Sequence, residues 1–553
     1  ERKQTKKEYH TTILNFHWIS SSKSVIISQF CAFDTTTNIY RNKAQQIPPY
    51  GAFHPPSMKY ACVAIRRNGQ IDFWYQFSNS KDHKKITLQL SMSESQQRSK
   101  ELDWLQFANI TPIDDGHCML ITTYSKLTSK LSLYKLFVSW NGTTNKPLRD
   151  PTLRIQNILN VSLDRVDDKG NIISLSNLHV VTKTVSEKDH YPEIILVFDI
   201  NGTKKSLIKR MRLVHTYLAL DYISILNPNF QREETNKMPL KTKRYNIRYY
   251  NDMIIDNKIT HVSSEMLDSF ISFYSDTGGI TSYNLNDWEL ETERMNHQVK
   301  QGKYTNIITS VLSANFRYPK LPSNLSLDWI CVSPTMSGVL FKLHDEDIPQ
   351  FRCVLKEDIS DNTSDSIDAT AVAFTFVGST HRQLSSEDLS IACKNHITRL
   401  CEIDEERAMK FIMTLMTNLY PFFNVSLNAP KEIMEKMITS IPIQKIMLLQ
   451  LELGSGLKST ENIASMARIV LYLKNVLFSF NGVARNLQFA IEQMNSAQAD
   501  GNQSKLFQTA FSKQDLIHSL IPIAKWFVKF VTYLMQEVLI LVNNPPIEKS
   551  TLV

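Results

Sequence analysis

The hydrophobic period of this 553-residue chain switches near residue 365. Before that point, short segments alternate apolar and polar residues, the period of two that a half-buried strand requires. After it, apolar residues recur at i, i+3, i+4 and i+7, the spacing of one helix face. Runs of strands followed by runs of helices imply a mainly β part and then an all-α part. We therefore expect two domains, residues 1–365 and 366–553, joined near Glu357 to Asp368, a stretch rich in Asp and Ser.

Three segments of the first part share a spelling: Phe16-His17-Trp18-Ile19, Leu102-Asp103-Trp104-Leu105 and Leu327-Asp328-Trp329-Ile330. Each precedes a second strand-like run, beginning near Ser24, Cys118 and Gly338. The tryptophans lie 86 and then 225 positions apart, near multiples of the roughly 40–45-residue period of a propeller blade. Hairpins support the reading. Tyr60–Ile65 and Gln70–Phe77 flank Asn68-Gly69, Ser269–Tyr274 and Ile280–Tyr283 flank Asp276–Gly279, and Glu193–Ile200 runs into Asn201-Gly202. Asn-Gly between alternating runs signals a type I′ turn, which needs positive φ at both centres. The expected fold of residues 1–365 is an irregular seven-bladed WD40-like β-propeller, incomplete at its opening strands. An irregular pair of β-sandwiches is the alternative. Polar insertions are expected at 31–58 and 229–243.

In the second part, Ser385–Asp388 is expected to cap a helix carrying Ile391, Ala392 and Ile397. Met409, Ile412, Met413, Met416, Leu419 and Tyr420 mark one buried face, in a helix that Pro421 ends. Pro430 and Pro442 suit first helical turns, and Gly454 suits a C-terminal cap. Further helices fit 461–479 and 483–495. The last helix runs from Leu516 to Val542 after a capping pair, Ser512 and Asp515. It is long enough to span a bilayer, but Lys525, Lys529, Thr532 and Gln536 form one wet stripe, and two mid-span lysines are costly in lipid. We expect a largely buried helix outside any membrane. Trp526, Phe527, Phe530 and Tyr533 on it are candidate partner-binding residues, with a place in the core as the alternative.

No chemical constellation stands out. Gly454–Thr460 lacks the Gly beside Lys that lets a loop wrap a phosphate. Cys393, His396 and Cys401 have soft-ligand chemistry without the further pair a tetrahedral zinc site needs. The paired acids Asp114-Asp115, Asp167-Asp168 and Glu405-Glu406 read as solvated turn or helix-start charges. Seven scattered cysteines do not resemble a disulfide framework, which favours a reducing compartment. The net charge of +8 is modest, and most of it precedes residue 365. The basic run Arg2–Lys7 suits a nuclear localisation signal or a flexible arm, and no direct specific nucleic-acid partner is expected. No catalytic residue, metal or cofactor is expected.

Residues 59–90 (KYACVAIRRNGQIDFWYQFSNSKDHKKITLQL), 429–454 (APKEIMEKMITSIPIQKIMLLQLELG) and 511–542 (FSKQDLIHSLIPIAKWFVKFVTYLMQEVLILV) resemble the budding-yeast-type family of Mediator subunit sixteen. AQQIPPYGAFHPP at 44–56 and LKNVLFSFNGVARNLQFAIEQM at 473–494 belong to the same resemblance, which covers essentially the whole chain. It implies a nuclear, non-catalytic scaffold of the Mediator tail module, with a propeller-like domain and then a helical region. Its implied partners are the other tail subunits and the Mediator body, and indirectly transcription activators, repressors and RNA polymerase II. Family members begin earlier and continue further, so opening propeller strands and some tail contacts are expected to be missing.

Two rivals differ in class. A coat or nuclear pore component also joins a propeller to a helical stalk, but would show a regular helix-pair repeat, and the sequence has no fixed period. An enzyme using a propeller's central funnel would need polar residues converging at the blade tops.

Overall fold

The computed structural model describes residues 11–20, 25–47, 51–90, 104–113, 118–140, 150–182, 191–219, 241–294, 304–321, 327–344, 346–360, 362–424 and 440–454. Beyond these it describes helical positions 471, 474, 481, 482, 485, 488, 491, 492, 495, 496, 518, 521, 522, 524–536 and 539. The strands form many small antiparallel sheets, and helices follow. The first sheet orders β1 (Ile13–Trp18), β4 (Met58–Arg66), β5 (Gln70–Phe77) and β6 (His83–Gln89). The second contains β7 (Leu105–Ile113), β8 (Cys118–Ser125), β9 (Lys130–Ser139) and β10 (Thr152–Ser162). The third orders β11 (Ile173–Thr182), β12 (Pro192–Ile200), β13 (Ser206–Ala219) and β14 (Lys241–Tyr249), with β15 (Met253–Ile255) also on β13. The fourth contains β16 (Ile259–Glu265), β17 (Phe270–Ser275) and β18 (Ile280–Asn284), and the fifth β21 (Leu327–Val332), β22 (Gly338–Leu343) and β23 (Gln350–Cys353). A further three-stranded sheet pairs β2 (Val25–Asp34) with β3 (Ile39–Ile47) and β19 (Tyr304–Ile308), and a two-stranded one pairs β20 (Phe316–Arg317) with β24 (Leu355–Lys356).

All three expected hairpins form. Their turns differ from the expectation at one point. In the β4–β5 loop only Gly69 has positive φ (78°), and its N–H donates to the Arg66 carbonyl at 2.9 Å. That is the three-residue pattern of a type I turn closed by a left-handed residue, so glycine is needed at one centre and not two. Gly278 (φ 79°) is more constrained, because a Cβ there would lie 2.1 Å from the Leu321 carbonyl oxygen.

The first five sheets stack in a row. β1 packs on β7, β7 on β11, β11 on β16 and β16 on β21. Central strands are therefore buried on both faces. Met119 and Ile121 of β8 enter the core shared with the first sheet, whereas Cys118 and Leu120 enter the core shared with the third. Ile194, Leu196 and Phe198 of β12 point one way, and Ile195 and Val197 the other. A strand buried on both faces loses its polar alternation, which explains why these two read as continuous apolar runs.

One pairing is long-range. The run after Trp18 is not the partner of β1, which pairs with β4, placing Trp18 opposite Cys62. Instead β2 pairs with β3 and with β19, nearly the length of the strand-rich part away. The segment expected to be a polar insertion from residue 31 thus supplies a hairpin arm. Its strand β3 is mostly exposed, and an exposed edge strand has the composition of a loop.

The helical part begins with α1 (Asp365–His381), then α2 (Glu387–Ile403), α3 (Glu405–Phe422) and α4 (Ile441–Gly454). In α1 every residue from Asp368 to Thr380 is buried. A helix covered all round belongs in the middle of a core. Its core is shared: Phe270, Tyr274, Val332, Val339 and Phe341 of the sheets lie in one cluster with Val372, Phe376, Leu389, Phe411 and Ile446 of the helices. Pro442 sits in the first turn of α4 and Gly454 closes it. On α3 the buried face centres on Ala408, Phe411 and Leu415 as well as Ile412, Met416, Leu419 and Tyr420. Met409 and Met413 are only half-buried at its border. Helix α2 forms as expected, although Ile391 is exposed and Leu389, Cys393 and Leu400 join Ala392 and Ile397 inside.

Polar ties cross the same joint. Arg382, buried just beyond α1, donates through Nη2 to the Ser28 carbonyl on β2 at 3.1 Å and to Ser269 Oγ at 3.2 Å. Burial pushes its guanidinium down to about 10. The Lys356 ammonium on β24 donates to both carboxylate oxygens of Asp368 on α1, and both side chains are buried. Arg407 on α3 donates bidentately to Asp365 and also reaches the Ile359 carbonyl. Removing one partner of a buried ion pair strands the other charge. Asp368→Ala should therefore lower unfolding stability by about 3–5 kcal/mol, whereas the double change Lys356→Met/Asp368→Leu should recover most of the loss. Urea unfolding midpoints of the three proteins check this.

Candidate partner surface and buried polar networks

The four candidate aromatics all fall on the described helical stretch 524–536. At 100° per residue they occupy about one third of the helix circumference. Trp526 and Phe530, one turn apart, stack with ring centroids 5.8 Å apart and planes at 13°. Phe530 is 5% exposed and Phe527 39% exposed, while Trp526 and Tyr533 are half-buried. The structure therefore brings them together but gives them different roles: Phe530 is packed inside and Phe527 faces solvent. The polar stripe is as expected, since Lys525, Lys529, Thr532 and Gln536 are all exposed. The helix is less buried than its sequence suggests. Ile521, Val528, Met535 and Leu539 share one face and are 46, 65, 62 and 57% exposed. Among the described residues no helix is long and apolar enough to cross a membrane.

Other candidates resolve into structure. Cys393 and His396 are buried, Cys401 is partly so, and no group of three metal-ligating side chains occurs among the described residues. Burial pushes the Cys393 thiol up to about 12 and the His396 imidazole down to about 4. His396 lies between the rings of Phe316 and Phe411, with centroids 5.2 and 5.1 Å away, joining β20, α2 and α3. Asp167 organises a turn, accepting from the amides of Lys169 and Asn171. Glu405 and Glu406 open α3, where the Asp404 carboxylate accepts from the Glu406 amide at 2.9 Å. A cleft lined by Asp365, Asp404, Glu406, Arg407 and Lys410 lies where α1 and α3 begin, but its arginine is already committed to Asp365. Arg2–Lys7, Asp114-Asp115, Pro430, residues 455–460 of the glycine loop and the capping pair Ser512 and Asp515 lie outside the described residues.

Two buried carboxylates escaped the sequence reading. Glu265, at the end of β16, accepts from Ser263 Oγ and from Ser272 Oγ at 2.9 Å. Ser272 in turn contacts Ser282 at 2.7 Å, and Ser263 contacts the Tyr274 hydroxyl at 2.8 Å. That hydroxyl accepts from the Val332 amide at 2.7 Å, so the network ties the fourth sheet to the fifth. Burial pushes the Glu265 carboxyl up to about 8, against the pull of its two serine donors. Glu291 is buried differently: Thr309, Ser310 and Arg294 all donate to it. Serines in alternating strands look like solvent-facing positions, so the local sequence carried no signal for either network.

The described residues thus form stacked antiparallel sheets keyed to helices, with exposed aromatic and basic side chains outside the core. The comparisons with known proteins are specific. A family model described as Mediator complex subunit 16, N-terminal, matches residues 1–321. The chain is 58% identical, over its whole length, to "Mediator of RNA polymerase II transcription subunit 16" of Saccharomyces cerevisiae. The proteins of the same name from Candida glabrata and Eremothecium gossypii are 57 and 40% identical over 99% of the chain. The chain belongs to the Mediator complex subunit 16 family. It spans 57, 56 and 57% of the lengths of these three relatives, little more than half.

The buried Glu265 predicts a pH dependence. Folded, the carboxyl keeps its proton up to about pH 8; unfolded, it releases it near its ordinary 4.5. Its contribution to stability is therefore complete below about 4.5 and declines as pH rises through about 8. Glu265→Gln keeps an amide in place of the protonated acid and cannot titrate. The Tm difference between pH 5 and pH 8 should be smaller in the variant than in the parent, as read by differential scanning fluorimetry.

Proposed function

We propose that the chain is a component of the Mediator complex and acts as a non-catalytic scaffold of its tail module in the nucleus. In this reading it links other tail subunits to the complex body and relays activator and repressor signals to RNA polymerase II. The observation that carries the proposal is the 58% identity along the whole chain to a Mediator subunit 16. The core is consistent with it, since polar side chains buried in the sheets tie one sheet to the next.

The strand-rich part fits an irregular WD40-like β-propeller. Five antiparallel meanders stack face to face with their first strands adjacent, the way blades pack around a propeller axis. The secondary structure changes at Asp365, which supports the division into 1–365 and 366–553, although the core is continuous across it. Partner binding falls to the last helix. Phe527 is the contact residue of the aromatic group, with Val528 and Met535 beside it on the exposed side, whereas Trp526, Phe530 and Tyr533 anchor the helix.

The test is co-expression of the whole 553-residue chain with the other tail subunits of Mediator, followed by affinity capture. The parent chain should be retained. Phe527→Asp/Val528→Asp/Met535→Asp should lower retention several-fold with Tm unchanged. Equal retention of the variant would remove the helix as the contact, and failure of the parent to bind any subunit would remove the scaffold reading.

A further inference from the structure

The outer strand of the third sheet, β14, reads Lys-Thr-Lys-Arg-Tyr-Asn-Ile-Arg-Tyr. It ends the strand order β11-β12-β13-β14, and no strand among the described residues pairs with its far side. The Tyr250 amide donates to the Arg210 carbonyl at 3.0 Å, in register with the β13–β14 ladder. In an antiparallel pair the inward groups alternate. Even-numbered residues of β14 thus bond to β13, and the backbone groups of Ile247 and Tyr249 point to the open edge.

Side chains on this strand divide by face. Arg244, Asn246 and Arg248 share one face and are exposed. No carboxylate among the described residues lies within ion-pair distance of Arg244 or Arg248; Arg248 reaches the Tyr250 ring at 5.8 Å, a ring it shares with Arg210 and Arg212. Glu193 lies buried between those last two arginines, 2.9 and 3.6 Å from them, so the acid of this face is already taken. The other face carries half-buried Tyr245 and Ile247 and then Tyr249, 61% exposed. Across from β14, Tyr217 is 56% exposed.

We propose that β14 is a docking edge for an extended acidic segment of a partner protein, added antiparallel as a further strand. Main-chain bonds to an open edge supply affinity, and alternate side chains supply selectivity. The residues opposite Arg244 and Arg248 would be acidic, spaced about 13 Å apart. The residues that alternate with them, opposite Tyr245, Ile247 and Tyr249, would be apolar. The edge favours a peptide over a nucleic acid, because the amides and carbonyls of Ile247 and Tyr249, which no strand among the described residues pairs with, recur at the spacing of a second strand. Cations on an edge otherwise protect it from self-association, and Arg244 and Arg248 would select an acidic partner for the same reason.

The experiment is fluorescence anisotropy of the full 553-residue chain with a labelled nonapeptide alternating glutamate and leucine. Controls are a peptide of the same composition with the acids in one block, and an oligothymidylate of equal charge. The alternating peptide should bind about tenfold more tightly than the blocked one, and Arg244→Glu/Arg248→Glu should lower its affinity about tenfold. Both arginines are exposed, so this change leaves the core alone. In the antiparallel arrangement the leucine amides face β14. N-methylation of the leucines should therefore abolish binding, whereas N-methylation of the glutamates should leave it. Failure of the alternating peptide to bind would overturn the proposal. So would equal binding of the blocked peptide, equal binding of the oligothymidylate, or indifference to which amides are methylated.

Discussion

Burial of α1 (Asp365–His381) between the sheets and the other helices is the constraint on which the rest depends. Its run from Ala369 to Val377 sits in one apolar cluster with Phe341 of β22, Tyr274 of β17 and Phe411 of α3. A helix exposed on one side could be lost with little effect on what it covers. A helix enclosed on all sides is a common surface, so sheets and helices each complete the other's core. The polar ties follow the same line: Arg382 to the Ser28 carbonyl, Lys356 to Asp368, Arg407 to Asp365. Buried charges of this kind need their partners held in place, and here the partner in each case lies across the joint or next to it.

Given that joint, the row of sheets can use both faces of its central strands, while the outer strands and the last helix remain as surface. This separation explains why the interior is rich in polar side chains that serve packing and the surface is rich in aromatics and cations. Glu265 and Glu291 hold sheet to loop, and sheet to sheet, through serine and threonine hydroxyls. Trp18, Phe527, Tyr217 and Tyr249 stand outside the core.

Much of this was legible in the sequence where the signal is local. Asn68-Gly69 marked a turn correctly, although only Gly69 and not both residues has the expected positive φ, and Pro442 and Gly454 bounded α4 because they fit only helix ends. The Trp329 segment pairs with the run that follows it. The Trp18 segment instead pairs with β4, while β2 takes a distant partner, β19, and such long-range pairing leaves no local trace. Burial of Glu265 was invisible for a related reason: its neighbours Ser263, Ser272 and Ser282 are spelled like a wet strand face. On the last helix the sequence showed the polar stripe of Lys525 and Lys529 correctly. It did not show that Val528 and Met535 would face solvent, since an apolar residue reads the same whether its partner lies within the chain or outside it.

The central claim is that the sheets beside the joint and the helices after Asp365 form one cooperative unit. Native-state hydrogen exchange followed by mass spectrometry, in the 553-residue chain under increasing denaturant, tests it most directly. The shared core predicts that amides of α1 and of β22 open with the same free energy and the same denaturant dependence. Exchange of α1 through a separate, lower-energy opening that leaves β22 protected would contradict it.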